Sequence, residues 1–130
     1  MSRLLVSCAL GTVAVDVDED DDAELVDDEV VVAMPDVDLP LVVAAAAHGS
    51  TVVAVVDRRP PLVLSNDGGL TWREAGAGLA RGVAVAISPE HPDVVAFATA
   101  ERIHVSRDGG RFWTALSVEL PSITALAFEP

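Results

Sequence analysis

Short apolar runs alternate with clusters of turn-forming residues along almost the whole chain. Leu41–Ala46, Thr51–Val56 and Leu62–Ser65 are separated by His48-Gly49-Ser50 and by Asp57-Arg58-Arg59-Pro60-Pro61. Brief runs rich in β-branched residues and bounded by Gly, Pro and Asp predict strands. No stretch carries a sustained helical period. The third run leads into Ser65-Asn66-Asp67-Gly68-Gly69-Leu70-Thr71-Trp72, and Leu70–Ala75 is predicted as a fourth strand.

The same order then returns. Val83–Ile87, the turn Ser88–Asp93, Val94–Thr99, a short loop at Glu101-Arg102 and Ile103–Ser106 lead into a second motif copy. That copy, Ser106-Arg107-Asp108-Gly109-Gly110-Arg111-Phe112-Trp113, begins 41 residues after the first and enters a strand at Arg111–Leu116. Leu79 and Leu120 each trail their motif's Trp by seven residues. A period near 40 built from strands and tight turns predicts stacked four-stranded antiparallel sheets.

The two ends of the chain complete the pattern. Ile123–Phe128 matches the first strand of a third unit, and Arg3–Cys8, Thr12–Val17 and Glu29–Ala33 are read as its remaining strands. Leu39-Pro40 stands 40 residues before Leu79, at the expected hand-over to the next unit. On this reading the acidic run 16–29 replaces the motif between the third and fourth strands. The units are then about 41–80, 81–121, and 122–130 plus 1–40, in a single domain. A sheet shared between the ends leaves neither terminal strand unpaired.

Composition sharpens this picture. Apolar residues make up 51% of the chain but aromatics only 4%, with no Tyr, so Val, Ala, Leu and Ile must build the core. The net charge is −13, and residues 16–29 hold ten acids and no base. Such a chain repels phosphate backbones, which argues against nucleic acid as a partner. Cys8 is the single cysteine, so no intrachain disulfide forms. Leu5-Val6-Ser7-Cys8 fits a lipoprotein cleavage box, but the seven residues before Cys8 are too few for a signal peptide. The segment is read as a strand and the expected location as cytoplasmic, secretion being the alternative. No run reaches the length of a membrane span.

The motif resembles the Asp-box, or bacterial neuraminidase, repeat, Ser-x-Asp-x-Gly-x-Thr-Trp. The first copy matches at Ser65, Asp67, Gly69, Thr71 and Trp72. The second matches at Ser106, Asp108, Gly110 and Trp113, with Phe112 in place of Thr. The resemblance implies an all-β fold of β-propeller blades, with each motif at the outer turn between a blade's third and fourth strands. It implies structural roles for these residues: Ser and Asp accept turn amides, Gly takes positive φ, and Trp packs into the blade. The family includes sialidases, endoglucanases, sorting-receptor ectodomains and photosystem assembly factors. A sialidase needs a Tyr nucleophile, which this chain lacks.

Other candidates lie in the loops. Asp57 and Glu101 occupy equivalent second-to-third-strand loops, where a glucanase-like carboxylate pair would be sought. Arg58, Arg59 and Arg102 beside them are the best candidates for a ligand-binding surface, with simple surface ion pairing to Asp57 and Glu101 the preferred reading. Asp16, Asp18, Asp20 and Asp22 offer oxygen ligands of the kind Ca²⁺ takes but lack EF-hand spacing, and a solvated loop is preferred. His48 and His91 fall in equivalent turns without a third metal ligand. No metal or cofactor is expected.

Propellers typically have about four to eight blades, so three predict association. An open fan would expose the apolar faces of its end blades. A homodimer closing a six-bladed ring head to tail is expected, a nine-bladed trimer being the alternative. Small residues (Ala44–Ala46, Ala84, Ala86) would line a narrow, mostly filled channel. The functional expectation is a non-catalytic module binding protein or glycan. A glycoside-hydrolase-like propeller, or a truncated remnant of one, is the alternative.

Overall fold

The computed structural model describes residues 3–18 and 23–129, which contain twelve strands and no helix. The strands are β1 (Arg3–Cys8), β2 (Gly11–Asp16), β3 (Ala23–Val26), β4 (Val42–His48), β5 (Thr51–Val56), β6 (Leu62–Ser65) and β7 (Arg73–Ala75). After these come β8 (Ala84–Ile87), β9 (Val95–Ala98), β10 (Arg102–Ser106), β11 (Thr114–Glu119) and β12 (Ala125–Phe128). They form three four-stranded antiparallel sheets, ordered β4-β5-β6-β7, β8-β9-β10-β11 and β12-β1-β2-β3. We call these the first, second and split sheets.

The split sheet joins the two ends of the chain. Leu4 stands opposite Phe128, Leu5 opposite Ala127, Val6 opposite Leu126 and Ser7 opposite Ala125. Its last strand corrects the sequence reading. Glu29–Ala33 forms no strand, and the fourth strand is β3, inside the acidic run. The hairpin explains the difference, because Val15 pairs with Ala23 and Thr12 with Val26 across the shortest return of the chain. β3 is an exposed edge, so Glu24 costs little there, and edge charges discourage pairing with other chains.

The second sheet lies between the other two, and period-two alternation lets it serve both. Ala84, Ala86, Ala96, Ala98, Ile103 and Val105 join a core with Leu4, Val6, Val13, Val15 and Leu126 of the split sheet. Val85, Ile87, Val95 and Phe97 join another with Val53, Val55, Leu62 and Leu64 of the first sheet. Leu120 closes the former core and Leu79 packs on the latter, as the trailing leucines of the two motifs suggest.

A third, smaller cluster overturns one premise of the association argument. Ala45, Ala54, Val56 and Val63, on the outer face of the first sheet, are not bare. The connection 27–41 runs back over them and covers them with Val37 and Leu39, helped by Val42 and Trp72. Three turns of the chain thus place Leu39, Leu79 and Leu120 against three successive clusters. The connection also exposes Val31, Val32, Met34 and Leu41 to solvent near Val43 of β4, interspersed with the exposed acids Asp27, Asp28, Glu29, Asp36 and Asp38.

Gly82 shows how tightly the first and second sheets meet. A Cβ there would come within 2.1 Å of Cε1 of Phe97 and 3.0 Å of Cγ1 of Val55. Phe97 is fully buried and has no room to retreat. We expect Gly82→Ala to lower stability by roughly 1–3 kcal/mol through over-packing. Urea unfolding should show a lower midpoint, and Phe97→Leu in the same chain should recover part of the loss. An unchanged midpoint for Gly82→Ala would contradict this packing.

Candidate functional site

The two motif copies build the same turn. Ser65 Oγ donates to Asp67 Oδ1 at 2.7 Å and accepts the amides of Asp67 (3.3 Å) and Gly69 (2.8 Å). Asp67 Oδ1 also accepts the amides of Leu70 (3.1 Å) and Thr71 (2.9 Å), and Thr71 Oγ1 donates to Oδ2 at 2.5 Å. In the second copy Ser106 Oγ donates to Asp108 Oδ1 at 2.8 Å and accepts Gly110 N at 2.8 Å. Asp108 Oδ1 accepts Arg111 N and Phe112 N, each at 3.0 Å. Both turns are tied to the neighbouring hairpin, Gly68 N donating to Ser50 O and Gly109 N to Asp93 O. Gly110 has φ near 90°, and its missing side chain lets Leu64 of the first sheet approach.

The tryptophans do different work. Trp113 packs edge-on against Phe97 at 6.1 Å in the core shared by the first and second sheets, and its Nε1 donates to Gly110 O at 3.0 Å. Trp72 instead covers the outer face of the first sheet with Val37 and Leu39.

Two arginines that sequence reasoning passed over lock the sheets together. Arg73, which opens β7, donates to the Gly109 carbonyl in the second sheet's turn. Arg107, inside the second motif, donates to the Val17 carbonyl beside the split sheet and lies 3.6 Å from Asp18. Their counterparts in the other copy are Thr114 and Asn66, so no repeated signal pointed to them.

The acidic candidate for Ca²⁺ is partly occupied by these contacts. Asp16 accepts the Asp18 amide at 2.9 Å, and Asp18 is held by Arg107, while Asp20 and Asp22 lie outside the described residues. His48 and His91 are exposed. No group of three His, Cys, Asp or Glu residues suited to a metal occurs among the described residues.

The loops opposite the motifs gather at one end of the three sheets. Asp57 N donates to Leu41 O, Leu120 N to Glu101 O, and Ala9 N to Pro121 O. Asp57 pairs with Arg81 at 3.1 Å rather than with Arg58 or Arg59. Arg102 bridges its own sheet, donating to Glu119 Oε1 at 3.2 Å and Leu116 O at 3.1 Å rather than pairing with Glu101. Glu101 is exposed, and no contact joins it to Asp57. The candidate surface therefore keeps only Arg58 and Arg59 as exposed cations without an ion pair among the described residues. Where the inner strands β4, β8 and β12 come together, a cavity of about 200 Å³ remains, walled on its fourth side by Val32 and Met34. Its lining is apolar apart from Thr124.

Three titrating groups report on these sites. Asp67 is lowered to about 2, chiefly by the Thr71 hydroxyl and then by Ser65. Asp108 is lowered by the Phe112 amide and then Ser106, without a hydroxyl from residue 112. His104 stands 6.1 Å from Phe97, and burial, then nearby Arg102, pushes its pKa down.

We expect Phe112→Thr to lower the Asp108 midpoint and Thr71→Val to raise that of Asp67, both read from carboxyl carbon shifts in an NMR titration. The folded pKa of Asp67 lies below its unfolded value of 3.8, so its contribution is present above about pH 4 and is lost as pH falls through 2. His104 has a folded pKa below the imidazole's usual 6.5, so the unfolded chain takes up its proton first. Stability should decline as pH drops below about 6.5, and His104→Gln should flatten that part of the curve. An identical pH profile for the variant would count against this account.

Comparison with protein-family models, with curated proteins and with solved structures finds nothing that matches this chain.

Proposed function

We propose that the chain is a non-catalytic Asp-box β-propeller module, a scaffold that binds protein or glycan, and that two copies complete a six-bladed ring. The observation that carries this reading is how the motif carboxylates are used. Asp67 and Asp108 are satisfied by the amides and hydroxyls of their own turns, which makes each a staple rather than a reacting group. Three four-stranded sheets with their first strands gathered at one cavity support counting each sheet as a blade. A nine-bladed ring of three copies is the other closure with whole chains.

The loop carboxylates support the same conclusion. A glycosidase pair would face each other across a cleft about 5–9.5 Å wide. Asp57 is instead turned to Arg81 in its own neighbourhood. The strong negative charge favours ligands other than nucleic acid.

A glycan array and a defined protein array, run beside a hydrolysis screen on glucans and sialosides, test this function. Saturable binding without turnover is expected. Turnover that disappears in Asp57→Asn or Glu101→Gln would replace this reading with the glycosidase one. An absence of saturable binding on both arrays would remove the binding role.

A further inference from the structure

Among the described residues, five of the nine exposed large apolar side chains lie close together, while Leu10, Leu25, Leu70 and Phe112 are scattered over turns and β3. Val31, Val32, Met34, Leu41 and Val43 all belong to the connection 27–41 or to the adjoining inner strand β4, and Val32, Met34 and Val43 line the mouth of the cavity among β4, β8 and β12. Val31 is 78% exposed. A cluster of this kind, unlike single exposed side chains, marks an interaction surface.

Charge indicates what covers it. Residues 1–30 and 123–130, which supply the split sheet, carry eleven acids against one arginine. Residues 31–82, which supply the first sheet and the segment covering its outer face, carry five acids, Asp36 and Asp38 among them, and four arginines. The two ends of the three-sheet array are therefore electrically unlike. Three of those acids stand at the level of two of the arginines. Val26, at the end of β3, pairs with Thr12 beside the Ala9-Leu10 turn, so exposed Asp27, Asp28 and Glu29 emerge at the loop end of the sheets. Arg58 and Arg59 sit exposed at that same end, next to Leu41 through the Asp57 amide. The acids directly precede the apolar segment and the arginines adjoin its far end.

We propose that this surface docks a second copy of the chain head to tail, Asp27, Asp28 and Glu29 of each copy meeting Arg58 and Arg59 of the other around the Val31–Met34 segment. The inference rests on the six-bladed reading and specifies the seam of that ring. Two split sheets face to face would oppose their acids, which disfavours an isologous contact through them. Each head-to-tail seam joins opposite charges and buries the exposed valines and methionine.

Light scattering after size exclusion, at low and high salt, tests the seam with two charge-reversed chains. One carries Arg58→Glu with Arg59→Glu, and the other Asp27→Arg, Asp28→Arg and Glu29→Arg. The wild-type chain should be a dimer whose dissociation constant rises at least tenfold from 50 to 500 mM salt, because exposed pairs are screened. Each reversed chain alone should dissociate at least tenfold more readily. An equimolar mixture should restore the dimer, since one seam is then native and the other reversed but complementary. If circular dichroism shows that a reversed chain has lost its fold, Arg58→Gln with Arg59→Gln and Asp27→Asn with Asp28→Asn take its place, each expected to weaken the dimer. A wild-type dimer that survives either change, or a mixture that fails to restore it, overturns the seam and leaves the ring. A wild-type monomer at every concentration overturns both.

Discussion

The antiparallel ladder between β1 and β12 is the constraint on which the remaining structure depends. It sets two segments more than a hundred residues apart side by side and gives the split sheet its inner strand. Leu126 and Leu4, brought in by that ladder, are among the largest fully buried side chains. Together with Val6 they form the wall against which the alanine face of the second sheet rests. Without β12, β1 would be an open edge and the second sheet would lose half of its cover. Closing so long a loop is a substantial entropic cost, met by a contiguous apolar core rather than by cross-links.

The second sheet carries the consequence of lying between two others. Its inner strands β8 and β9 are apolar on both faces, and the sheet divides the work by size. Alanines face the split sheet, where the opposing leucines and valines are large. Phe97, Val85 and Ile87 face the first sheet, where Gly82 leaves space for the ring. That complementarity of small against large is how a core with so few aromatics reaches close packing. The arginine contacts at the turns add direction to these apolar faces, since Arg73 and Arg107 each reach forward to the next sheet's backbone.

Most of the architecture was legible because the repeat is written in turns as well as strands. Asp67, Gly69, Asp108 and Gly110 announce the turn chemistry locally, and the hydrogen bonds they form involve residues within four positions. The split sheet was legible by counting, since Ile123–Phe128 had no other partner. What failed had no local signature. β3 is hidden in an acidic run because an exposed edge strand needs little apolar patterning, and register alone fixes it. Leu39-Pro40 read as an ordinary hand-over, yet the role of Leu39 with Val37 over the first sheet depends on the path of the whole connection. The partners of Asp57 and Arg102 were misassigned because neighbours in sequence were favoured over Arg81 and Glu119, which the sheets bring close.

The ladder that closes the split sheet also has a mechanical meaning. Residues 3 and 129 lie against each other, the Glu129 amide donating to the Arg3 carbonyl at 2.9 Å, and Arg3 pairs with the Glu129 carboxylate. A force pulling these two points apart acts along the inter-strand bonds and loads them one after another. Such peeling needs far less force than sliding two strands past each other, in which all the bonds resist together. The sheet that holds the array closed at equilibrium is thus the one that opens first under tension.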